Sequence, residues 1–173
     1  MKSMQSTTAL SRQRGVTLIV SLIFLAILML LGVTVAQTSS MQERMAGNTR
    51  DRDLAFQMAE AALSAANATM NALDAAGTLS TAFTAGTPGL VECIPGDACY
   101  TRDSAGWNAY DWANASQSTT ITLNSATHVT EQPRYVIEKL PDAAITQRFR
   151  VTARGVGASA NTVVILQAGY ENN

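Results

Sequence analysis

An apolar run opens the chain. Residues 16–36 are uncharged and mostly apolar, and the next charge after Arg14 is Glu43. At 1.5 Å per residue this run makes a helix of roughly 31 Å, the thickness of a bilayer core. Beyond it the pattern becomes amphipathic without a break. From residue 37 to about 76 there is no proline, and the one glycine is Gly47. Leu54, Met58, Ala61 and Ala65 recur at spacings of four, three and four, which places them on one helix face. Leu63, Met70 and Leu73 widen that face on an adjacent track. The two patterns join into a single predicted helix over 16–75, about 90 Å long. Its first half, 16–36, spans a membrane, and its continuation, 37–76, lays an apolar face under another element. Gly32 and Gly47 each cost such a helix about 1 kcal/mol relative to alanine. Gly32 suits close packing of a membrane helix as well as it suits a hinge.

A second regime begins at Gly77. Gly86, Pro88, Gly89, Pro95, Gly96 and Gly106 punctuate residues 77–118, which read as a long loop with at most a short helix or strand. From Thr119 the period falls to two. Strands are predicted at 119–123, at 134–140 between Pro133 and Pro141, at 148–153 and at 162–168. In the third, Phe149, Val151 and Ala153 share one face and Arg148 and Arg150 the other. Residues 154–161 suit a flexible hairpin loop. These strands most simply form an antiparallel sheet whose apolar face covers the helix face of 54–73. The fold class predicted is therefore α+β, with residues 77–173 as one globular part.

Charge changes the picture at the N-terminus. Lys2, Arg12 and Arg14 precede the apolar run with no acid among them, which predicts a cytoplasmic N-terminus and an exported remainder. Gly15 stands at the end of this basic leader, 1–15, so a cut at Gly15–Val16 would remove the leader and keep the helix. An uncleaved signal anchor, or a signal peptide cut near Thr34-Val35-Ala36, uses the same residues differently. Loss of the leader leaves nine basic against thirteen acidic side chains, a net −4, which argues against a nucleic-acid partner. In an exported chain Cys93 and Cys99, in C-I-P-G-D-A-C, are expected to pair, with Pro95-Gly96 supplying the turn. So short a ring is worth about 2 kcal/mol by loop entropy.

Candidate interaction residues form two groups. Glu43, Arg44, Arg50, Asp51, Arg52 and Asp53 make a mixed-charge belt, either a solvated helix face or a docking surface for neighbouring helices. Trp107, Tyr110 and Trp112 cluster in G-W-N-A-Y-D-W, either anchoring the long loop to the core or forming a patch for a partner. Catalytic signatures are missing: there is no G-x-x-x-x-G-K-[ST], no G-x-S-x-G and no H-E-x-x-H. His128 is the single histidine, so neither a zinc site nor a catalytic triad is expected. Asp97, Asp103 and Asp111 are too widely spaced for an EF-hand loop. No enzyme activity, cofactor or metal is expected.

Several stretches carry a family resemblance. The leader, R-G-V-T-L-I-V, resembles the class III leader of type IV pilins and pseudopilins. The stretch E-R-M-A-G-N-T-R-D-R-D-L-A-F-Q-M-A-E-A-A-L, from Glu43 to Leu63, looks like the N-terminal signature of PilX-type minor pilins. P-R-Y-V-I-E and F-R-V-T-A-R-G-V-G-A-S-A-N-T-V-V-I-L-Q resemble the C-terminal part of the same proteins. The resemblance implies a type IV pilin-like fold and a precursor in the bacterial inner membrane with its C-terminal part periplasmic. Prepilin peptidase would cut after Gly15 and methylate the amine of Val16. The chain would then enter the pilus at the cell surface beside other minor pilins, the major pilin and a large tip adhesin, and help initiate assembly. Adhesion and twitching motility would follow from that tip complex. Most pilins carry Glu at the fifth mature position, where this chain has Val20. That Glu is thought to pair with the N-terminal amine of the preceding subunit, so its absence favours a place at or near the tip. A minor pseudopilin of a type II secretion system, or a membrane-anchored periplasmic binding domain, would share much of this pattern.

Overall fold

A computed structural model of the chain describes residues 14–94, 96, 97, 99, 102–124, 128–143 and 146–172. Lys2 and Arg12 of the basic leader and Pro95 of the cysteine ring lie outside the described residues. Helix α1 runs unbroken from Arg14 to Ala75, and Gly32 and Gly47 are helical within it. Two compact units divide at Gly47 and Asn48.

The N-terminal unit is helical from Arg14 to its end. Its large apolar side chains, from Val16 and Leu18 to Val35, are all exposed. The helix is long and apolar enough to cross a membrane. Three of its hydroxyl side chains are turned back onto their own helix. Ser21 Oγ donates to the Leu18 carbonyl (2.9 Å), Thr34 Oγ1 to those of Leu30 (3.0 Å) and Leu31 (2.8 Å), and Thr38 Oγ1 to that of Thr34 (2.9 Å). Internal satisfaction of this kind is what a lipid environment demands of hydroxyls.

The second unit packs the rest of α1 against one sheet. Short helices α2 (Leu79–Ala82) and α3 (Ser104–Asn108) and strands β1 (Leu90–Glu92), β2 (Thr119–Thr120), β3 (Arg134–Ala143), β4 (Thr146–Val156) and β5 (Val163–Asn172) follow α1 in order. The sheet order is β1-β3-β4-β5, with β2 also pairing β3. β3, β4 and β5 form an antiparallel meander, while β1 pairs β3 in parallel. The fold is thus α+β, a long apolar helix with a mostly antiparallel sheet. Helix α1 ends on Gly77, at φ +66°, where the Thr78 amide donates to the Leu73 carbonyl (3.0 Å) and the Gly77 amide to that of Asp74 (2.9 Å). Only glycine takes this left-handed turn without strain.

Four details differ from the sequence pattern. The β1 strand was hidden in the glycine-rich stretch, because three residues are too few to show alternation. The strand expected at 119–123 is regular only at Thr119–Thr120; Ile121 then holds the Pro133 carbonyl by one amide bond (2.9 Å). Pro141 does not stop β3, which reaches Ala143 with a register shift after Leu140. Its carbonyl instead accepts from the Arg148 guanidinium (2.8 Å from Nη2). The fourth detail is the expected flexible loop at 154–161, since β4 continues through Gly155 to Val156.

The helix face also sits one residue away from the predicted one. Ala55, Ala59, Ala62 and Ala66 have no exposed surface, and Leu54, Met58, Ala61 and Ala65 flank them, half-buried. Small residues are central because β4 comes close. A Cβ on Gly155 would overlap the backbone of Ala55 and Ala59 and stand 3.0 Å from the Met58 carbonyl carbon. Below this contact Ala62 and Ala66 join Met70, Leu79, Phe83, Leu90, Tyr135, Ile137, Phe149 and Val151 in the main core. Each large member contributes about 1.5–3 kcal/mol by burial. Tyr135 also hydrogen-bonds Thr69 Oγ1 (3.0 Å), and Asn172 Nδ2 donates to Asp74 (2.8 Å), fixing helix to sheet.

Gly155→Ala is therefore expected to destabilise the second unit by about 3 kcal/mol, the upper end of overpacking effects. Gly169→Ala, where the added Cβ meets nothing within 4 Å, should stay within about 0.5 kcal/mol of the parent. Urea unfolding of the detergent-solubilised chain, followed by the fluorescence of Trp107 and Trp112, measures both; equal midpoints would contradict the close approach.

Candidate functional site

Strand alternation gives the sheet two faces with different coverings. Tyr135, Ile137, Phe149, Val151 and Ala153 face the helix. Val136, Glu138, Arg150 and Arg154 lie on the opposite face, which the loop between β1 and β2 covers. Trp107, Trp112 and Val136 form a second buried cluster there, with Tyr110 and Ile165 packed against it. The three aromatic rings stand 5.1–5.6 Å apart, centroid to centroid. Trp112 Nε1 donates to the Trp107 carbonyl (3.1 Å), and Tyr110 Oη to that of Gln117 (2.8 Å). Trp107 and Trp112 are thus core rather than an exposed patch, and Tyr110 is half-buried. Burial pushes the Tyr110 hydroxyl up to about 12. The Trp107 indole N–H has no acceptor among the described residues.

Glu138 organises this face. It is fully buried, in the middle of β3, directly opposite Arg150 of β4. Arg150 Nε meets its Oε2 at 2.7 Å and Arg102 Nη1 its Oε1 at 3.0 Å. Desolvation pushes the Glu138 carboxyl above the usual range, and the two guanidinium groups oppose that push. Arg102 in turn lies 4.5 Å from the Trp107 ring centroid and 4.6 Å from that of Tyr110. Arg150 also donates to the Cys99 carbonyl. The Cys93 amide donates to the Lys139 carbonyl (2.8 Å). The Cys93–Cys99 disulfide, with Cα atoms 5.9 Å apart, is thereby held at both ends against β3 and β4.

Neither the cysteines nor the acids present an open ligand set. Cys93, Cys99 and Glu138 bring two sulfurs and a carboxylate within 4.8 Å. The sulfurs are bonded to each other and the carboxylate is shared between two arginines. Asp103 caps α3 through the Gly106 amide (2.8 Å), and Asp111 accepts from the Ala113 amide (3.2 Å). Asp97 accepts from the Ile94 amide (3.5 Å), and His128 is exposed.

The mixed-charge belt divides between the units. Glu43 and Arg44 are exposed in the N-terminal unit, and Arg50, Arg52 and Asp53 are exposed in the second. Asp51 is committed within its own chain. Its carboxylate accepts from Thr162 Oγ1 and from the Ala158 amide, both at 2.5 Å, and from the Ser159 amide at 3.3 Å. The Thr162 bond, with those two amides, holds Asp51 below the usual carboxylate range. Sequence periodicity could not find this contact or the Glu138 pairs, because each joins residues of unrelated local pattern. In V-I-E-K-L, Glu138 alternates with the helix-facing Tyr135 and Ile137, so its burial has no local sign.

Gly15 and Val16 lie in the first turn of α1, and Val20 stands one turn further on, an exposed apolar side chain. Comparison with known families covers nearly all of the described chain. A model described as PilX N-terminal matches residues 14–64, and one described as Type IV pilus assembly protein PilX C-term matches residues 64–172. No curated protein and no solved structure matches the chain.

Removal of the Glu138 carboxylate tests the organising role assigned to it. Glu138→Ala strands Arg102 and Arg150 and is expected to cost about 3–5 kcal/mol. Glu138→Gln keeps the volume and one acceptor without the buried charge and should cost clearly less. Urea midpoints of the detergent-solubilised chain give the order; equal losses would mean that volume, not charge pairing, is what the site requires.

Proposed function

The chain belongs to the PilX family of type IV pilus assembly proteins, and from that premise we propose that it is a minor pilin that helps initiate the fibre at or near its tip. The observation that carries this reading is the uninterrupted helix α1, whose apolar part begins at the Gly15–Val16 bond. A cut there discards the basic leader and leaves a new amine at the first turn of the helix. The same apolar surface then serves twice. It anchors the precursor in the inner membrane with the C-terminal part in the periplasm, and later it packs among other helices in the fibre. Prepilin peptidase is the processing partner in this reading; other minor pilins, the major pilin and a large tip adhesin are the assembly partners.

Val20 gives the proposal a direction. A subunit that carries a carboxylate at its fifth mature position can pair it with the Val16 amine of this chain. This chain has no carboxylate to return. It can therefore be followed by a subunit but cannot make the same bond to one ahead of it, which suits the leading end. Adhesion and twitching belong to the complex formed there.

Mass spectrometry of the mature N-terminus tests the processing: a methylated Val16 is expected, and an intact Met1 would sink the pilin reading in favour of a plain membrane anchor. Position is tested by Val20→Glu in a strain that lacks the parent chain. Loss of priming, with the substituted chain spread along the fibre, is the expected result; wild-type piliation with the chain still at the tip would contradict the directional argument. If deletion stops secretion of exoproteins and leaves pili intact, the assembly is a type II secretion pseudopilus instead.

A further inference from the structure

The two edges of the sheet are not alike. At one edge β3 is covered by two short strands, β1 over Ile137–Lys139 and β2 over Arg134–Tyr135, and the disulfide ring continues from β1. At the other edge β5 pairs β4 in unbroken register from Gln147↔Asn172 to Val156↔Val163. No described segment pairs with its outer side. Soluble proteins usually blunt such an edge with proline, lysine, a bulge or a short strand. β5 is ten residues long, has no bulge, and carries no proline, lysine or arginine; its one charge is Glu171.

Both flanks of this edge are hollow. On the helix side a depression of about 360 Å³ is lined by Glu60, Leu63, Ser64, Asn67, Ala168 and Tyr170. Phe56, one turn before Glu60 on the same helix stripe, is 44% exposed. On the opposite face a second depression, about 440 Å³, runs past Trp107, Asn108, Val163, Ile165 and Gln167. Trp107, which lines it, keeps its indole N–H buried. An edge with a hollow on each side is the form that accepts a strand, because alternate side chains of an added strand point to opposite faces.

The geometry points to strand addition: β5 receives an extended segment of a different polypeptide, which completes the sheet and covers the Phe56–Leu63 stripe. The chemistry of the hollows describes that segment. Its helix-facing residues are apolar, with a Lys or Arg to meet Glu60. A residue facing the other way lies over Val163, Ile165 and Gln167 beside Trp107. A second copy of this chain fits less well, since its own β5 would bring Glu171 and no cation. This inference goes beyond the place in a fibre proposed above and does not depend on it.

A photo-crosslinker placed at Gly169 or Glu171, both exposed, in the full chain in cells provides the test. Crosslinks from both sites should map to one segment of one other polypeptide. A synthetic peptide of that segment, added to the detergent-solubilised full chain, should slow hydrogen exchange at least tenfold at every second amide of β5. Those between them, already bonded to β4, should not change. Ala168→Lys, which blunts the edge from within, should lower crosslink yield at least tenfold with an unchanged unfolding midpoint. If that variant does not fold, Val163→Lys at an exposed position decides. Crosslinks to a second copy alone or to nothing would overturn the proposal, as would absence of the alternating protection or wild-type yield in the lysine variants.

Discussion

A carboxylate with no exposed surface is an unstable thing to place in a sheet unless it is paired on both oxygens. Glu138 meets that demand with Arg150 from the neighbouring strand and Arg102 from the long loop. The second arginine is the consequential one. It requires that the loop lie across the sheet, and its guanidinium, wedged against Trp107 and Tyr110, draws the aromatic cluster down with it. Arg150 reaches past Glu138 to the Cys99 carbonyl, so the disulfide ring is held by the same charge. A stretch whose composition reads as loosely ordered is fixed by one buried ion and its two partners. The disulfide closes a seven-residue ring, worth about 2 kcal/mol by loop entropy, and its bonds to β3 and β4 fix where that ring lies.

The opposite face is solved by shape instead of charge. A helix can approach a strand closely only where both surrender side-chain volume, and here Ala55 and Ala59 face Gly155. Further along, as the elements diverge, Met70, Phe83 and Phe149 fill the wedge. Asp51 closes the narrow end by taking the amides of Ala158 and Ser159 and the Thr162 hydroxyl. The belt of charges around it is thereby sorted. Asp51 is spent inside its own chain, whereas Arg50, Arg52 and Asp53 remain exposed.

The sequence made the long helix and the three long strands legible because each has a strong period of its own. Val16 to Ala75 needs no tertiary contact to be seen, and neither does the alternation of Phe149, Val151 and Ala153 with arginines. What could not be read is what depends on pairing. The arginine side of β4 is set apart from its apolar side in the sequence, but nothing local says that a tryptophan-bearing loop will cover it. Gly155 looked like loop punctuation, since a glycine needed for close approach and one needed for a turn are the same letter. The buried helix face shifted from Met58 and Ala61 to Ala59 and Ala62 for that reason: hydrophobicity ranks methionine above alanine, but the approaching strand selects for smallness. β1, three residues long, has too short an alternation to stand out from its glycines.

In the proposed reading, Val20 would alter the balance between lipid and fibre as well as the geometry of a contact. A carboxylate within an apolar helix costs up to about 2.5–3.5 kcal/mol at the middle of a bilayer, and less near an interface. A subunit that carries one is pushed out of lipid toward any amine that will pair with it. This chain carries none at position 20, so in the proposed reading its helix would rest in the membrane without that penalty and would gain no ion pair of this type by leaving. Entry into a fibre would then draw on contacts elsewhere on the molecule. The second unit offers such contacts in the exposed charges of its helix and the open edge of β5. If the proposed minor-pilin reading holds, such a chain would be recruited by its globular part, with its apolar helix following.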